Sequence, residues 1–155
     1  MVQFIKTPRF SNELTNIPIN TEGEKRYVNY FGNVSAGFPS PAEDFAQNKI
    51  SLDEILLNHP EATYLNRVGG DSMYPEYLIG DLLIIRSDLE PKHMDDIVVS
   101  VNNSEYTFKR YDDINKQLIS VNPKYQNCIQ LQDEDIVLIL GVVTSLVRQK
   151  RGMKL

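Results

Sequence analysis

The stretch Ala62-Thr63-Tyr64-Leu65-Asn66-Arg67-Val68-Gly69-Gly70-Asp71-Ser72-Met73 passes from β-branched and aromatic residues straight into turn residues. That is the composition of a strand ending in a tight turn. The same alternation continues to the C terminus. Segments 82–86, 97–101, 106–111, 117–121 and 136–147 read as strands, and Gly80-Asp81, Asn102-Asn103-Ser104, Asp112-Asp113 and Asn122-Pro123 punctuate them. Strands at such short intervals predict a mainly β, compact and mostly antiparallel fold.

Upstream the pattern changes. Ser51-Leu52-Asp53-Glu54 has the form of a capping box, which predicts one short helix with Leu52, Ile55 and Leu56 on one face, ended by Pro60. Two prolines make Gly37-Phe38-Pro39-Ser40-Pro41 loop or extended chain, and 27–31 reads as a short extended piece. Residues 1–29 carry Pro8, Pro18 and the charged run Glu22-Gly23-Glu24-Lys25-Arg26 without a sustained period, so they are expected to form a flexible N-terminal arm.

The chain has 155 residues, enough for one domain plus an arm. A formal charge of −5 disfavours direct, specific DNA binding, which needs a basic face to displace counterions. A single cysteine, Cys128, offers neither a disulfide nor a metal-ligand spacing, so neither metal nor cofactor is expected and the cytoplasm is the default location. The N-terminal residues lack the continuous apolar core of a signal peptide. The most apolar run, 136–147, falls short of the roughly 20 residues that span a bilayer, so no membrane partner is expected.

Three kinds of residue could carry chemistry. Ser72, behind two glycines and an aspartate, sits where a turn could expose its hydroxyl and aim backbone N–H groups at an oxyanion. Turn residues alone favour a plain turn, so the serine needs a base. His59 and His93 both lie in polar segments where solvated histidines are ordinary, although His93 has Asp95 and Asp96 close by. Lys109 shares one face of its strand with Thr107, opposite Tyr106 and Phe108, a pattern that by itself predicts exposure. A lysine acts as a base only when it is neutral, far from its ordinary value of about 10.4.

Gly69-Gly70-Asp71-Ser72-Met73-Tyr74-Pro75, then Gly80-Asp81-Leu82-Leu83-Ile84, then Tyr106-Thr107-Phe108-Lys109-Arg110 together resemble the peptidase domain shared by LexA, phage repressors and UmuD. Lys109 follows Ser72 by 37 positions and Gly37 precedes it by 35, in keeping with that family's order of cleavage site, serine and lysine. Gly37 to Ala42, His59 to Tyr64 and Gly141-Val142-Val143 are similar to the UmuD branch in particular. A repressor would need a helix-turn-helix ahead of the cleavage site, and 36 residues with Pro8 and Pro18 do not make one. Two features depart from UmuD: the first 29 residues do not align with its arm, and Ala36-Gly37 has the LexA form of the scissile pair.

The resemblance implies Ser72 as nucleophile and Lys109 as general base, with Gly70, Asp71 and Met73 shaping the turn. It implies self-cleavage at Ala36-Gly37, separating an arm, residues 1–36, from a peptidase body, residues 37–155. It also implies a homodimer, stimulation by RecA on single-stranded DNA, and service of the trimmed dimer to a UmuC-like error-prone DNA polymerase in SOS mutagenesis. The competing expectation is a non-cleaving interaction protein of the same fold, such as a phage- or plasmid-borne regulator without a DNA-binding domain.

Overall fold

The computed structural model describes residues 8–19, 22–24, 28–30 and 48–151, of which 28–30 and 48–49 are described by backbone alone. The Ala36-Gly37 bond and the proline-rich loop after it lie outside the described residues. The chain divides into two units, one of Met1–Ile19 with Glu61–Leu155 and one of Asn20–Pro60.

In the larger unit, eight strands form one sheet. They are β1 (Leu14–Ile17), β4 (Thr63–Val68), β5 (Leu82–Arg86), β6 (Asp96–Val101), β7 (Thr107–Asp112), β8 (Gln117–Ile119), β9 (Ile129–Gln130) and β10 (Val137–Val147). Their spatial order is β1-β4-β5-β10-β6-β7-β8-β9, and every pairing is antiparallel. The smaller unit pairs β2 (Val28–Tyr30) with β3 (Asn48–Ile50) and holds the α-helix α1 (Leu52–Leu56). The architecture is therefore mainly antiparallel β with, among the described residues, one short α-helix, as the alternation of strand and turn segments implied.

The long strand β10 organises the sheet. Its first half pairs with β6 and its second half with β5, and register shifts at 139/141 and 143/145 bend it between the two. Strand β6 is buried at Ile97, Val98, Val99 and Ser100 in succession, because side chains on both faces are covered. One face contributes Leu83, Ile85, Val98 and Phe108 to the main core; the other brings Ile97, Val99, Leu118 and Val142 together. Each such side chain stabilises the fold by about 1.5–3 kcal/mol.

Turn chemistry matches the strand ends. Asn102 and Asn103, both with positive φ, reverse the chain between β6 and β7, a conformation asparagine tolerates. Between β7 and β8, Asp112 accepts from the Asn115 backbone N–H at 3.0 Å and from Gln117 Nε2 at 2.9 Å.

Two local expectations are corrected. Ser51 occupies the N-cap position of α1, but its hydroxyl makes no capping bond, and the helix is a five-residue turn with Leu52 61 % and Ile55 54 % exposed. With so short a helix, propensity and a cap cannot override the surroundings. The expected flexible arm is also docked in part, because residues 14–17 form β1 and pair with β4. Four residues with one buried side chain, Leu14, leave almost no periodic trace in a sequence.

Candidate functional site

Ser72 and Lys109 line the same cleft, of about 460 Å³, together with Glu13, Ser120, Tyr125 and Ile129. They reach it from different parts of the sheet. Strand β4 ends at Val68 and the turn that follows carries Ser72, whereas Lys109 projects from the middle of β7. Their immediate neighbours hold the two segments together. Met73 and Phe108 are buried in one cluster, and Tyr77 meets Phe108 edge-on with ring centroids 4.7 Å apart. The residues flanking the polar pair are thus the apolar anchors that position it.

The Ser72 turn is braced from several directions. Asn122 donates its backbone N–H to the Ser72 carbonyl at 2.9 Å and its side-chain amide to the Asp71 carbonyl at 2.8 Å. Tyr125 donates its hydroxyl to Asp71 Oδ1 at 2.6 Å. Further along the loop, buried Asp81 accepts from the Leu78 backbone N–H and from Arg148 Nε at 2.8 and 2.7 Å. Burial pushes the Asp81 carboxyl up, but the Arg148 guanidinium and the Leu78 N–H together outweigh it and hold the group below its ordinary value. Asp71 is thus held through both its carbonyl and its carboxylate, and Met73 is buried in the core.

Lys109 is not exposed as its strand pattern predicted; its side chain retains 11 % exposure. Its Nζ donates to Glu13 Oε1 and Oε2 at 3.1 and 3.0 Å, to Thr107 Oγ1 at 3.1 Å and to the Phe108 carbonyl at 3.1 Å. The Thr107 hydroxyl donates to the same Glu13 carboxylate, which lines the cleft beside Ser72. Burial pushes the Glu13 carboxyl up, yet the bonds from Thr107 and Ser72 and the charge of Lys109 prevail and hold it below the ordinary carboxylate value. The carboxylate that holds the candidate base thus lines the cleft of the candidate nucleophile.

Neither histidine belongs to this cluster. His59 Nδ1 lies 2.9 Å from Asn58 Oδ1 in the smaller unit, and His93 Nδ1 is 3.4 Å from Asp112 rather than joined to Asp95 or Asp96. Sequence reading passed over Glu13, Asn122 and Tyr125 as site residues. An isolated acid in a polar segment carries no signal, and the other two become relevant only when the 120–127 loop folds against the serine turn. Among the described residues, no group of three or more His, Cys, Asp or Glu side chains is placed to hold a metal ion, and no helix is long and apolar enough to cross a membrane.

Residues 29–144 match the Peptidase S24-like family. The chain belongs to that family. Its members are the LexA/UmuD-type self-cleaving serine peptidases linked to the SOS response. Among similar proteins, ImpA of Salmonella typhimurium is 32 % identical over 143 residues, covering 88 % of this chain and 95 % of its own. MucA of Escherichia coli is 39 % identical over 82 residues, covering 52 % of this chain and 56 % of its own. The LexA repressor of Acidithiobacillus ferrooxidans is 36 % identical over 121 residues, or 76 % of this chain and 58 % of its own. The S24 match takes in both Ser72 and Lys109, whereas Glu13 precedes its first residue.

Proposed function

We propose that this protein is a UmuD-like SOS mutagenesis factor that cleaves itself at Ala36-Gly37 with a Ser72-Lys109 dyad. The observation that carries the reading is the shared cleft: a serine on a braced turn and a mostly buried lysine face the same space. In the reaction, neutral Lys109 takes the Ser72 proton as Oγ bonds to the Ala36 carbonyl carbon, and backbone N–H groups at the turn hold the oxyanion. The C–N bond then breaks, Lys109 returns its proton to the Gly37 nitrogen, and water hydrolyses the ester. The products are an arm of 36 residues and a body of 119.

Cleavage answers to a partner. RecA on single-stranded DNA favours the state in which the cleavage segment occupies the cleft, so the cut reports DNA damage. The trimmed homodimer then acts as the accessory subunit of a UmuC-like translesion polymerase. The similarity to ImpA, which takes in 95 % of that protein against 58 % of the LexA repressor, supports this placement over that of a repressor.

Incubation of the purified chain with RecA, ATP and single-stranded DNA, or at alkaline pH, is expected to yield the 119-residue body by mass spectrometry. Ser72→Ala and Lys109→Ala are each expected to reduce the rate by at least about 10³-fold, the scale of losing a nucleophile or its base. An intact wild-type chain under both conditions would rule out self-cleavage. Cleavage that survives either substitution would rule out the residue assignment. A second reading, a non-cleaving interaction protein of the same fold, draws on one observation: Lys109 is engaged by Glu13.

A further inference from the structure

We propose that residues Arg9 to Ile17 are an internal inhibitor of the cleft, with Glu13 as its clamp on Ser72 and Lys109. The inference rests on the self-cleavage reading and adds its brake. Three observations converge on it: the path of the segment, the fit of the glycines beneath it, and the hydrogen-bond pattern at Nζ.

The segment crosses the site as two stretches joined by a turn at Asn12-Glu13, in which Leu14 donates its N–H to the Ser11 carbonyl at 3.1 Å. Tyr106 donates its N–H to the Arg9 carbonyl at 2.8 Å and accepts from the Ser11 N–H at 2.9 Å, in a parallel bridge at Phe10. Gly69 donates its N–H to the Glu13 carbonyl at 2.7 Å, and residues 14–17 continue as an antiparallel partner of β4. The backbone is thus gripped on both sides of Glu13, once ahead of the serine turn and once beside it. Main-chain hydrogen bonds to exposed strand backbone are the mode in which a cleft binds peptide. Any other segment that uses the Gly69 and Tyr106 backbone groups must first displace this one.

The glycines ahead of Ser72 make room for it. A Cβ at Gly69 would stand 2.7 Å from the Asn12 carbonyl oxygen, and one at Gly70 would stand 3.2 Å from Glu13 Cγ. Here the small residues permit close approach of a second stretch of backbone. The turn that exposes the serine is at the same time the seat of the segment that covers it.

Donor and acceptor counts at Nζ specify the protonation state. Four oxygens face it: both of Glu13, Thr107 Oγ1, whose own proton points to Glu13, and the Phe108 carbonyl. All are acceptors. An ammonium, with three protons and no lone pair, satisfies such a site, whereas a neutral amine would bring an unmatched lone pair to it. The proton acceptor required for attack is therefore absent while Glu13 is seated. Ser72 lines the same cleft as this carboxylate. Release of one side chain frees both groups.

The test uses the full chain and a readout independent of cleavage. Wild type, Glu13→Gln and Glu13→Ala are treated with an amine-acylating reagent at fixed pH, and Lys109 modification is followed by peptide mass spectrometry. A fluorophosphonate probe reports Ser72, and a thermal melt confirms that each variant is folded. Lys109 acylation is expected to rise about tenfold or more in both variants, the scale of one lost charge-assisted hydrogen-bond pair, with Ser72 labelling and Ala36-Gly37 cleavage rising alongside. Glu13→Asp, which keeps the charge but draws it back by one methylene, is expected to give a smaller rise and replaces either variant that does not fold. Unchanged acylation in the folded variants overturns the clamp, as does wild-type cleavage that the variants fail to accelerate. Acylation that rises while Ala36-Gly37 stays intact at alkaline pH supports the clamp and overturns the self-cleavage reading instead.

Discussion

Strands β5, β10 and β6 run through the middle of the sheet with Leu83, Ile85, Ile97, Val98 and Val99 fully enclosed, whereas β1 at the edge buries Leu14 and little else. The central strands are held by apolar side chains worth about 1.5–3 kcal/mol each. The edge strand is held by backbone bonds to β4, by the Gly69 and Tyr106 contacts, and by the Glu13 carboxylate. Net hydrogen-bond contributions of about 0.5–1.5 kcal/mol are enough to seat such a strand and small enough to let it leave. One sheet thus combines an enclosed apolar centre with a sparsely buried edge, and that edge follows directly on Glu13 in the candidate site.

The largest effect should come from the centre. Leu83→Ala is expected to lower the unfolding free energy in urea by about 2–5 kcal/mol, the usual cost of a buried leucine cavity, without a selective effect on Lys109 reactivity. At the edge, Leu14→Ala should lower global stability by clearly less, because β1 can detach while the rest stays folded. Amide exchange at residues 14–17 should accelerate in that variant while exchange in β5 and β6 is unchanged. An equal global loss from the two substitutions would break the comparison and make β1 an integral part of the core.

The smallest effect concerns the β7–β8 turn, away from both regions. Hydrogen bonds from the Asn115 side chain and backbone and from Gln117 lower the Asp112 carboxyl from 3.8 to about 2. A group lowered on folding adds stability above its unfolded value and loses it as pH falls through its folded value. Melting temperature should therefore decline between pH 3.8 and about 2, and Asp112→Asn should flatten that slope. A slope unchanged in the variant would show that Asp112 contributes nothing to acid stability.

Much of the fold was legible because repeated turn residues at short intervals constrain strand ends. Segment 82–86 was read with its observed bounds, and 97–101, 117–121 and 136–147 came within two residues at each end. The two-residue β9 was missed, since Ile129-Gln130 is too short for any period to register. At the site, Ser72 and Lys109 were legible as candidates, but the burial of the lysine was not. Alternation along β7 assigns it a face, and only the covering segment determines whether that face meets water.

The sequence by itself determined the alternation of strand and turn, the order of the Gly70-Asp71-Ser72-Met73 turn and Lys109, and the net charge of −5. These are local properties, written in residue type and spacing. Tertiary structure alone decided that Met73 and Phe108 anchor the two polar groups to one cleft, and that Glu13 enters it. Glu13 lies 59 positions before Ser72 and 96 before Lys109, and neither separation leaves a periodic trace. A contact between such distant residues exists only once the sheet has formed, because the sheet fixes the distance between them.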